Sequence, residues 1–115
     1  MCYNLLLHLN REDEFSLNAA LGYARNYLAA LPDGNFKIVI LANGPAVKYF
    51  QQNSACAAEV AGLLKSVHVT LLLCRHAWEA NQLKEEDKIS GGRFVPAGIV
   101  ELVRLQSEGF AYVKP

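Results

Sequence analysis

The chain alternates short, almost continuously apolar runs with segments whose apolar residues recur at helical spacing. The three clearest runs are residues 2–9, 36–42 and 67–74, the last of which reads VHVTLLLC. A strand that is covered on both faces has such a composition, whereas a strand with one wet face alternates apolar and polar residues. The alternation therefore favours a mainly parallel β-sheet with helices on both sides.

The whole pattern predicts the order βαβααβαβαβ within one domain, residues 1–115. The predicted strands are residues 2–9, 36–42, 67–74, 93–95 and 110–114. The predicted helices are a long one that ends before the turn at 32–34, a short one at 46–50, and segments 55–66, 76–83 and 97–108. The fold class is thus α/β: a three-layer α/β/α sandwich with a five-stranded, mainly parallel sheet and right-handed crossovers, flavodoxin-like in general shape.

The charged residues bear on two kinds of partner, nucleic acid and further copies of the chain. Eleven basic residues balance eleven acidic ones, and they are interspersed, so we expect no nucleic-acid partner. Charged residues make up only 19%, below the roughly 25% of an average soluble domain. We therefore expect an oligomer, with Trp78, Phe110 and Tyr112 as candidate interface residues.

The sequence contains no apolar segment near the ~20 residues that a membrane-spanning helix needs, and its start lacks the features of a signal peptide. Three cysteines without a C-x-x-C spacing favour free thiols in the reducing cytoplasm. Three scattered histidines predict no metal site, and we expect no cofactor because the glycine-rich motifs of nucleotide-binding proteins are absent.

The ends of parallel strands meet at one edge of a sheet, which is where ligands bind in open α/β folds. His8 and Asn10 lie at the end of the first predicted strand, and Asn43 and Gly44 follow the second. The third ends in Cys74, and Pro96, Ala97 and Gly98 follow the fourth. We expect these side chains to lie close together.

Cys74 has two readings that spacing alone does not separate. As a nucleophile, its thiolate would be favoured by the start of the following helix and by Arg75 and His76, if these turn inward. As a structural residue, it would be the last apolar side chain of a buried strand. Cys56 and His68 are expected to be structural.

Two further expectations concern the second half of the chain. Residues 84–92, KEEDKISGG, are predicted to form an exposed and mobile loop, which would be a lid if it folds over Cys74. In the last helix, Ile99, Leu102, Val103 and Gln106 are expected to share one face.

The C-terminal run VPAGIVELVRLQSEGFAYVKP closely resembles the ending of the DsrE/DsrF-like family of small intracellular sulfur-relay proteins. The likeness continues in HLN after the first strand, in LGYARNYLAAL, in VILANGPAV, and in a strand that ends in Cys74. It implies a cytoplasmic α/β protein that assembles into a homotrimer or homohexamer. Some members carry persulfide sulfur on a cysteine at the end of the third strand, the position of Cys74.

The resulting hypothesis is a sulfur carrier or sulfurtransferase that binds sulfane sulfur on Cys74. Its partners would be sulfur-donor and sulfur-acceptor proteins with reactive thiols, and Asn43 and Gly44 would shape the wall of the pocket. The alternative is a non-catalytic oligomeric module that binds a small metabolite or a protein at the same edge, in which case Cys74 should be alkylated slowly. A nucleotide-binding domain is a third, weaker alternative.

Overall fold

The computed structural model describes residues 3–115, so the predicted start of the first strand at Cys2 lies outside the described residues. The remainder of the predicted order is confirmed, with strand and helix ends shifted by a few residues. The strands are β1 Leu5–Leu9, β2 Ile38–Ala42, β3 Val69–Cys74, β4 Gly92–Val95 and β5 Ala111–Val113. The α-helices are α1 Glu14–Ala30, α2 Ala57–Leu64, α3 Arg75–Ala80 and α4 Gly98–Ser107, and two 3₁₀ helices span Gly44–Phe50 and Glu85–Asp87.

The five strands form one sheet in the order β4-β3-β2-β1-β5, and every neighbouring pair is parallel. From β1 to β4 the chain advances in one direction across the sheet, and right-handed crossovers then place α1, α2 and α3 on the same face. The step from β4 to β5 runs back across the sheet, so the same handedness places α4 on the opposite face. The predicted three-layer α/β/α fold is therefore confirmed.

Alternate residues of each strand enter two separate cores. Leu5 and Leu7 of β1 belong to the larger cluster, which packs under α1, α2 and α3. Leu6 belongs to the smaller cluster, which packs under α4 with Leu102 and Leu105. Both faces of the central strands are thus buried, which explains their nearly continuous apolar sequence.

The predicted apolar face of the last helix was wrong in detail. Leu102 is buried, as expected, but Ile99 and Val103 are 63% and 64% exposed. The buried face consists of Gly98, Leu102 and Leu105, at spacings of four and three residues. The apolar residues of α4 cover a wider arc than the part of the helix that contacts the sheet. The sequence alone therefore did not show which of them are buried.

The predicted exposure of the loop at residues 84–92 is confirmed for residues 84–87, 90 and 91, whereas the rest of the segment is at least partly buried. Ile89 is buried in the larger core, and the Trp78 indole N–H donates to the Lys84 carbonyl at 3.0 Å. Lys88 pairs in an antiparallel bridge with Gln51. The segment is a packed connection rather than a lid, because none of its residues borders the cavity that contains Cys74.

The burial of two side chains corrects the prediction of the interface residues. Trp78 is 2% exposed and Phe110 is 8% exposed, so both belong to the core of the single chain. Tyr112 is 40% exposed. Within residues 3–115, no helix combines the length and the apolar character that are required to cross a membrane.

Candidate functional site

The sheet has a topological switch between β3 and β4. The chain leaves β3 into α3 on one face and leaves β4 into α4 on the opposite face. Two neighbouring parallel strands whose exits diverge in this way leave a crevice beyond their carboxyl ends, where open α/β proteins bind ligands. Cys74 ends β3 and Gly98 begins α4, so both lie at this crevice.

A cavity of about 320 Å³ occupies the crevice. It brings together four residues that the sequence singled out, with small side chains from the starts of α3 and α4. Its lining is Asn43, Gly44, Cys74, His76, Ala77, Ala80, Asn81, Ala97, Gly98 and Ile99. No Asp or Glu is among the described residues of this lining, so a negatively charged sulfur atom would meet no like charge here.

Cys74 is the N-cap residue of α3. Its backbone is extended, and its Sγ accepts a hydrogen bond from the Ala77 backbone N–H at 3.4 Å. A sulfur atom that accepts an N–H keeps this bond as a thiolate, so the geometry is compatible with a negatively charged nucleophile. The side chain is 6% exposed and reaches solvent through the cavity.

Asn43 and Cys74 approach each other across Gly98. A methyl group at Gly98 would lie 3.1 Å from Asn43 Cβ and 3.4 Å from Cys74 Cβ. The missing side chain therefore lets the start of α4 close onto both residues, and a larger residue would fill the cavity between them.

Gly44 is required at its position by two independent constraints. Its φ is +56°, a left-handed conformation that side chains disfavour, and a Cβ there would lie 2.9 Å from the Asn10 carbonyl oxygen. The chain after β2 thus packs directly onto the chain after β1. The Asn81 side chain donates to the Gly44 carbonyl at 3.4 Å and to the Ala77 carbonyl at 2.8 Å, which ties α3 to the same turn.

His8 joins this cavity to the far end of the sheet. Its Nε2 lies 2.8 Å from Asn43 Oδ1, and its Nδ1 lies 2.6 Å from the Tyr112 hydroxyl. Strand alternation explains why these side chains lie together. In the sheet, His8 pairs with Leu41, and Tyr112 pairs with Leu6. These four positions and Asn43 all face the α4 side of the sheet. His8 is 7% exposed, so these two contacts replace its hydration.

The environment of His8 favours the neutral imidazole. Burial lowers the pKa of His8 below its ordinary value of 6.5, and this is the largest influence. The hydrogen bond to Asn43 raises that pKa, and the positive charge of Lys114 lowers it. A neutral imidazole carries one N–H, so the Nε2–H donates to Asn43 Oδ1 and Nδ1 accepts from Tyr112.

Asn10 lies outside the Cys74 cavity. With His8 it borders a separate depression of about 150 Å³, to which Asp13 and Lys114 also contribute. The predicted edge is thus divided into two depressions, and His8 is connected to the Cys74 cavity through Asn43.

Arg75 and His76 have different positions. His76 is exposed at the rim of the cavity. Arg75 instead pairs with Glu85 at 2.8 Å and lies over the Phe94 ring, with 4.2 Å between the guanidinium carbon and the ring centroid. The structure does not bring Arg75 into the cavity.

Three residues of the site were not expected from the sequence in these roles. Gly98 was placed at the correct edge but not in contact with Cys74, and Tyr112 was expected at an interface rather than beside His8. Asn81 carried no signal apart from its place near the end of a short helix. Across residues 3–115, no three His, Cys, Asp or Glu side chains are grouped so that they could hold a metal ion.

Comparison with known proteins agrees with this fold. Solved structures include a close match, MTH1491 from Methanobacterium thermoautotrophicum, a protein of unknown function, with a TM-score of 0.90 and 26% sequence identity. The alignment covers 98% of this chain and 99% of that chain. No curated protein matches significantly. A model of the DsrE/DsrF-like family matches residues 8–115, and the chain belongs to that family.

Proposed function

We propose that the protein is a cytoplasmic sulfur carrier, which takes up sulfane sulfur as a persulfide on Cys74 and passes it to the thiol of a partner protein. The observation that carries the proposal is the position of the Cys74 sulfur. It lies at a topological switch point, accepts a backbone N–H, and borders a cavity whose described lining has no carboxylate. Membership of the DsrE/DsrF-like family supports sulfur relay at the family level.

The chemistry needs no cofactor and no net oxidation. The Cys74 thiolate attacks the terminal sulfur of a donor persulfide, R–S–SH. A new S–S bond forms at Cys74, the S–S bond of the donor breaks, and the donor leaves as the thiolate R–S⁻. In the second step an acceptor thiolate attacks the terminal sulfur on Cys74, and the electron pair of the broken S–S bond returns to Cys74 Sγ.

The cavity residues have separate tasks in this scheme. The Ala77 N–H donates to Sγ and stabilises its negative charge before loading and after release. Gly98 and Ala97 leave room for the added sulfur atom beside Cys74. Asn43 and Gly44 form the opposite wall, and His76 stands at the rim, where a donor or acceptor protein would approach.

We propose further that the protein acts as a homotrimer or homohexamer. Ile99, Val100 and Val103 form an apolar stripe on α4, with exposed fractions from 61% to 64%. Ile99 also borders the Cys74 cavity, so a neighbouring subunit on this stripe would lie beside the thiol. Light scattering at micromolar concentration tests the assembly, and a monomeric mass would contradict it.

A non-catalytic binding module is the second candidate. The cavity volume of about 320 Å³ lies at the lower end of the range of roughly 300–1,000 Å³ for small-molecule pockets. In that case a small ligand would raise the melting temperature, and Cys74 would be alkylated slowly near neutral pH.

The decisive experiment is sulfur loading followed by intact-mass measurement and peptide mapping. Reduced protein is incubated with a low-molecular-weight persulfide, and the wild type is expected to gain one sulfur atom on Cys74. Cys74→Ser should lose this gain. Cys56→Ser, which alters the second described cysteine, is the matched control and should load like the wild type. Equal gain of sulfur by Cys74→Ser would refute the assignment.

A further inference from the structure

A chain of hydrogen bonds runs from the surface of the sheet to the wall of the Cys74 cavity. It begins at the Tyr112 hydroxyl, which lies 2.6 Å from His8 Nδ1, and continues from His8 Nε2 to Asn43 Oδ1 at 2.8 Å. Only 7% of the His8 surface is exposed. Both ring nitrogens are therefore committed to these two partners.

The chain has a defined direction. A neutral imidazole donates from one nitrogen and accepts at the other, so a Tyr112 hydroxyl that donates to Nδ1 fixes the single N–H on Nε2. That N–H must then meet an acceptor, which orients the Asn43 amide with Oδ1 toward His8. The Nδ2 group of Asn43 is left free, because no hydrogen bond within residues 3–115 occupies it.

The free amide nitrogen belongs to a side chain that borders the same cavity as Cys74. Asn43 Cβ and Cys74 Cβ both lie within 3.4 Å of the point where a methyl group on Gly98 would stand. With Oδ1 directed to His8, the amide nitrogen is the polar end of this lining side chain that has no partner among residues 3–115.

We propose that His8 and Tyr112 are positioning residues for sulfur transfer, which hold Asn43 so that its amide N–H groups donate to the sulfur anion at Cys74. This role rests on the proposed sulfur-carrier function. Asn43 is the residue that would contact the sulfur, and the other two act through it.

The contribution falls in the step that releases sulfur. The acceptor thiolate attacks the terminal sulfur, the S–S bond to Cys74 breaks, and the electron pair stays on Cys74 Sγ. An N–H donor from Asn43, added to the Ala77 N–H, stabilises that developing charge without any proton transfer. The opposite amide orientation would present an oxygen to the anion and slow the step.

Tyr112→Phe tests the role, because it removes one hydroxyl from a side chain that is 40% exposed. The measured quantity is the rate at which loaded Cys74 transfers sulfur to a low-molecular-weight thiol. We expect this rate to fall roughly threefold to tenfold, the effect of one lost hydrogen bond. Tyr23→Phe, at an exposed tyrosine on α1, is the matched control and should leave the rate unchanged.

A double-mutant cycle separates positioning from general structural damage. In an Asn43→Ala background, Tyr112→Phe should have no further effect on the transfer rate, since its effect passes through Asn43. Independent effects of the two substitutions would overturn the role. Nitrogen NMR of the His8 ring adds a direct readout: the wild type should carry its proton on Nε2, and a proton on Nδ1 would also overturn it.

The outcomes distinguish the two proposals. If the wild type loads sulfur on Cys74 and Tyr112→Phe transfers it at the wild-type rate, the positioning role alone is refuted. If the wild type gains no sulfur on Cys74, the sulfur-carrier function fails and the positioning role fails with it. Light scattering on Tyr112→Phe shows whether the variant keeps the assembly of the wild type, so that a change of assembly is not mistaken for positioning.

Discussion

The two described cysteines, Cys56 and Cys74, occupy the same local position in different surroundings. Each is the N-cap residue of a short helix, Cys56 for α2 and Cys74 for α3. Each thiol is free, and each borders a cavity of similar volume, about 360 Å³ and 320 Å³. Position at the start of a helix therefore gives no reason to prefer one of them as a nucleophile.

Their hydrogen bonds differ in one respect. Cys56 Sγ donates to the Tyr49 carbonyl at 3.3 Å, a bond that exists only while the thiol keeps its proton, and it lies 3.3 Å from the Ser54 hydroxyl as a second partner. Cys74 Sγ accepts from the Ala77 N–H, a bond that the thiolate keeps. Glu14 and Glu59 line the Cys56 cavity, whereas no carboxylate is among the described residues around Cys74. Tertiary contacts, rather than helix position, thus separate a structural thiol from a candidate nucleophile.

Gly98→Val should have the largest effect on this comparison. The first added carbon would already meet Asn43, Leu41 and Cys74 at 3.1–3.4 Å, and the further methyl groups would fill the cavity. We expect a loss of stability of about 1–3 kcal/mol from overpacking and the loss of sulfur loading at Cys74. Urea unfolding and intact-mass measurement check the two effects.

Gly62→Val is the matched control for this change. Gly62 lies in α2, near Cys56 in sequence, and a Cβ there would meet nothing within 4 Å. Valine and glycine are both weak helix formers, so stability should change by less than about 0.5 kcal/mol. Loading of Gly98→Val at the wild-type level would show that the space beside Cys74 is not used.

The pH dependence of stability tests whether the wall next to Cys74 contains a neutral histidine. Because burial holds the pKa of folded His8 below 6.5, the unfolded chain binds a proton first as the pH falls. The unfolded state then holds more protons than the folded state, so stability should decrease as the pH falls from about 6.5 to the lower folded value. Urea unfolding at a series of pH values measures this decrease.

His8→Gln should lack this part of the pH dependence, although it is less stable at every pH. His76→Gln, which alters an exposed imidazole at the cavity rim, should keep the wild-type pH profile. A His8→Gln profile that is parallel to the wild type would show that His8 does not carry the effect.

Cys56→Ala and Cys56→Ser test the structural half of the comparison. Serine retains an O–H that can donate to the Tyr49 carbonyl, whereas alanine leaves that carbonyl without this partner. We expect alanine to cost about 0.5–1.5 kcal/mol relative to serine, measured by urea unfolding. Equal stability of the two variants would mean that the Cys56 contact contributes nothing.

The fold was predictable because its signals are local and periodic. Continuous apolar runs such as Phe36–Ala42 identify buried strands, and alternation with helices predicts parallel pairing. For the candidate site, topology predicted only which residues share one edge of the sheet. Asn43, Gly44 and Cys74 do lie together at that edge. The directions of the side chains could not be predicted from the sequence. The position of Arg75 depends on contacts with Glu85 and Phe94, and the environment of His8 depends on a tyrosine 104 residues away in sequence.

Arg75→Met is expected to have the smallest effect, and it tests whether charge next to Cys74 in sequence matters to the thiol. Methionine keeps an apolar side chain over Phe94 but loses the pair with Glu85 and the cationic contact with the ring. Both groups of the pair are largely exposed, so we expect a loss of less than about 1 kcal/mol in urea unfolding. Sulfur loading at Cys74 should be unchanged, because the guanidinium lies outside the cavity.

Glu85→Gln, which removes the ion pair and keeps the Phe94 contact, separates the two contributions. A large fall in loading for Arg75→Met but not for Glu85→Gln would mean that the arginine charge acts on the thiolate despite facing away, and the distinction between Cys74 and Cys56 would then rest on charge as well as on hydrogen bonding.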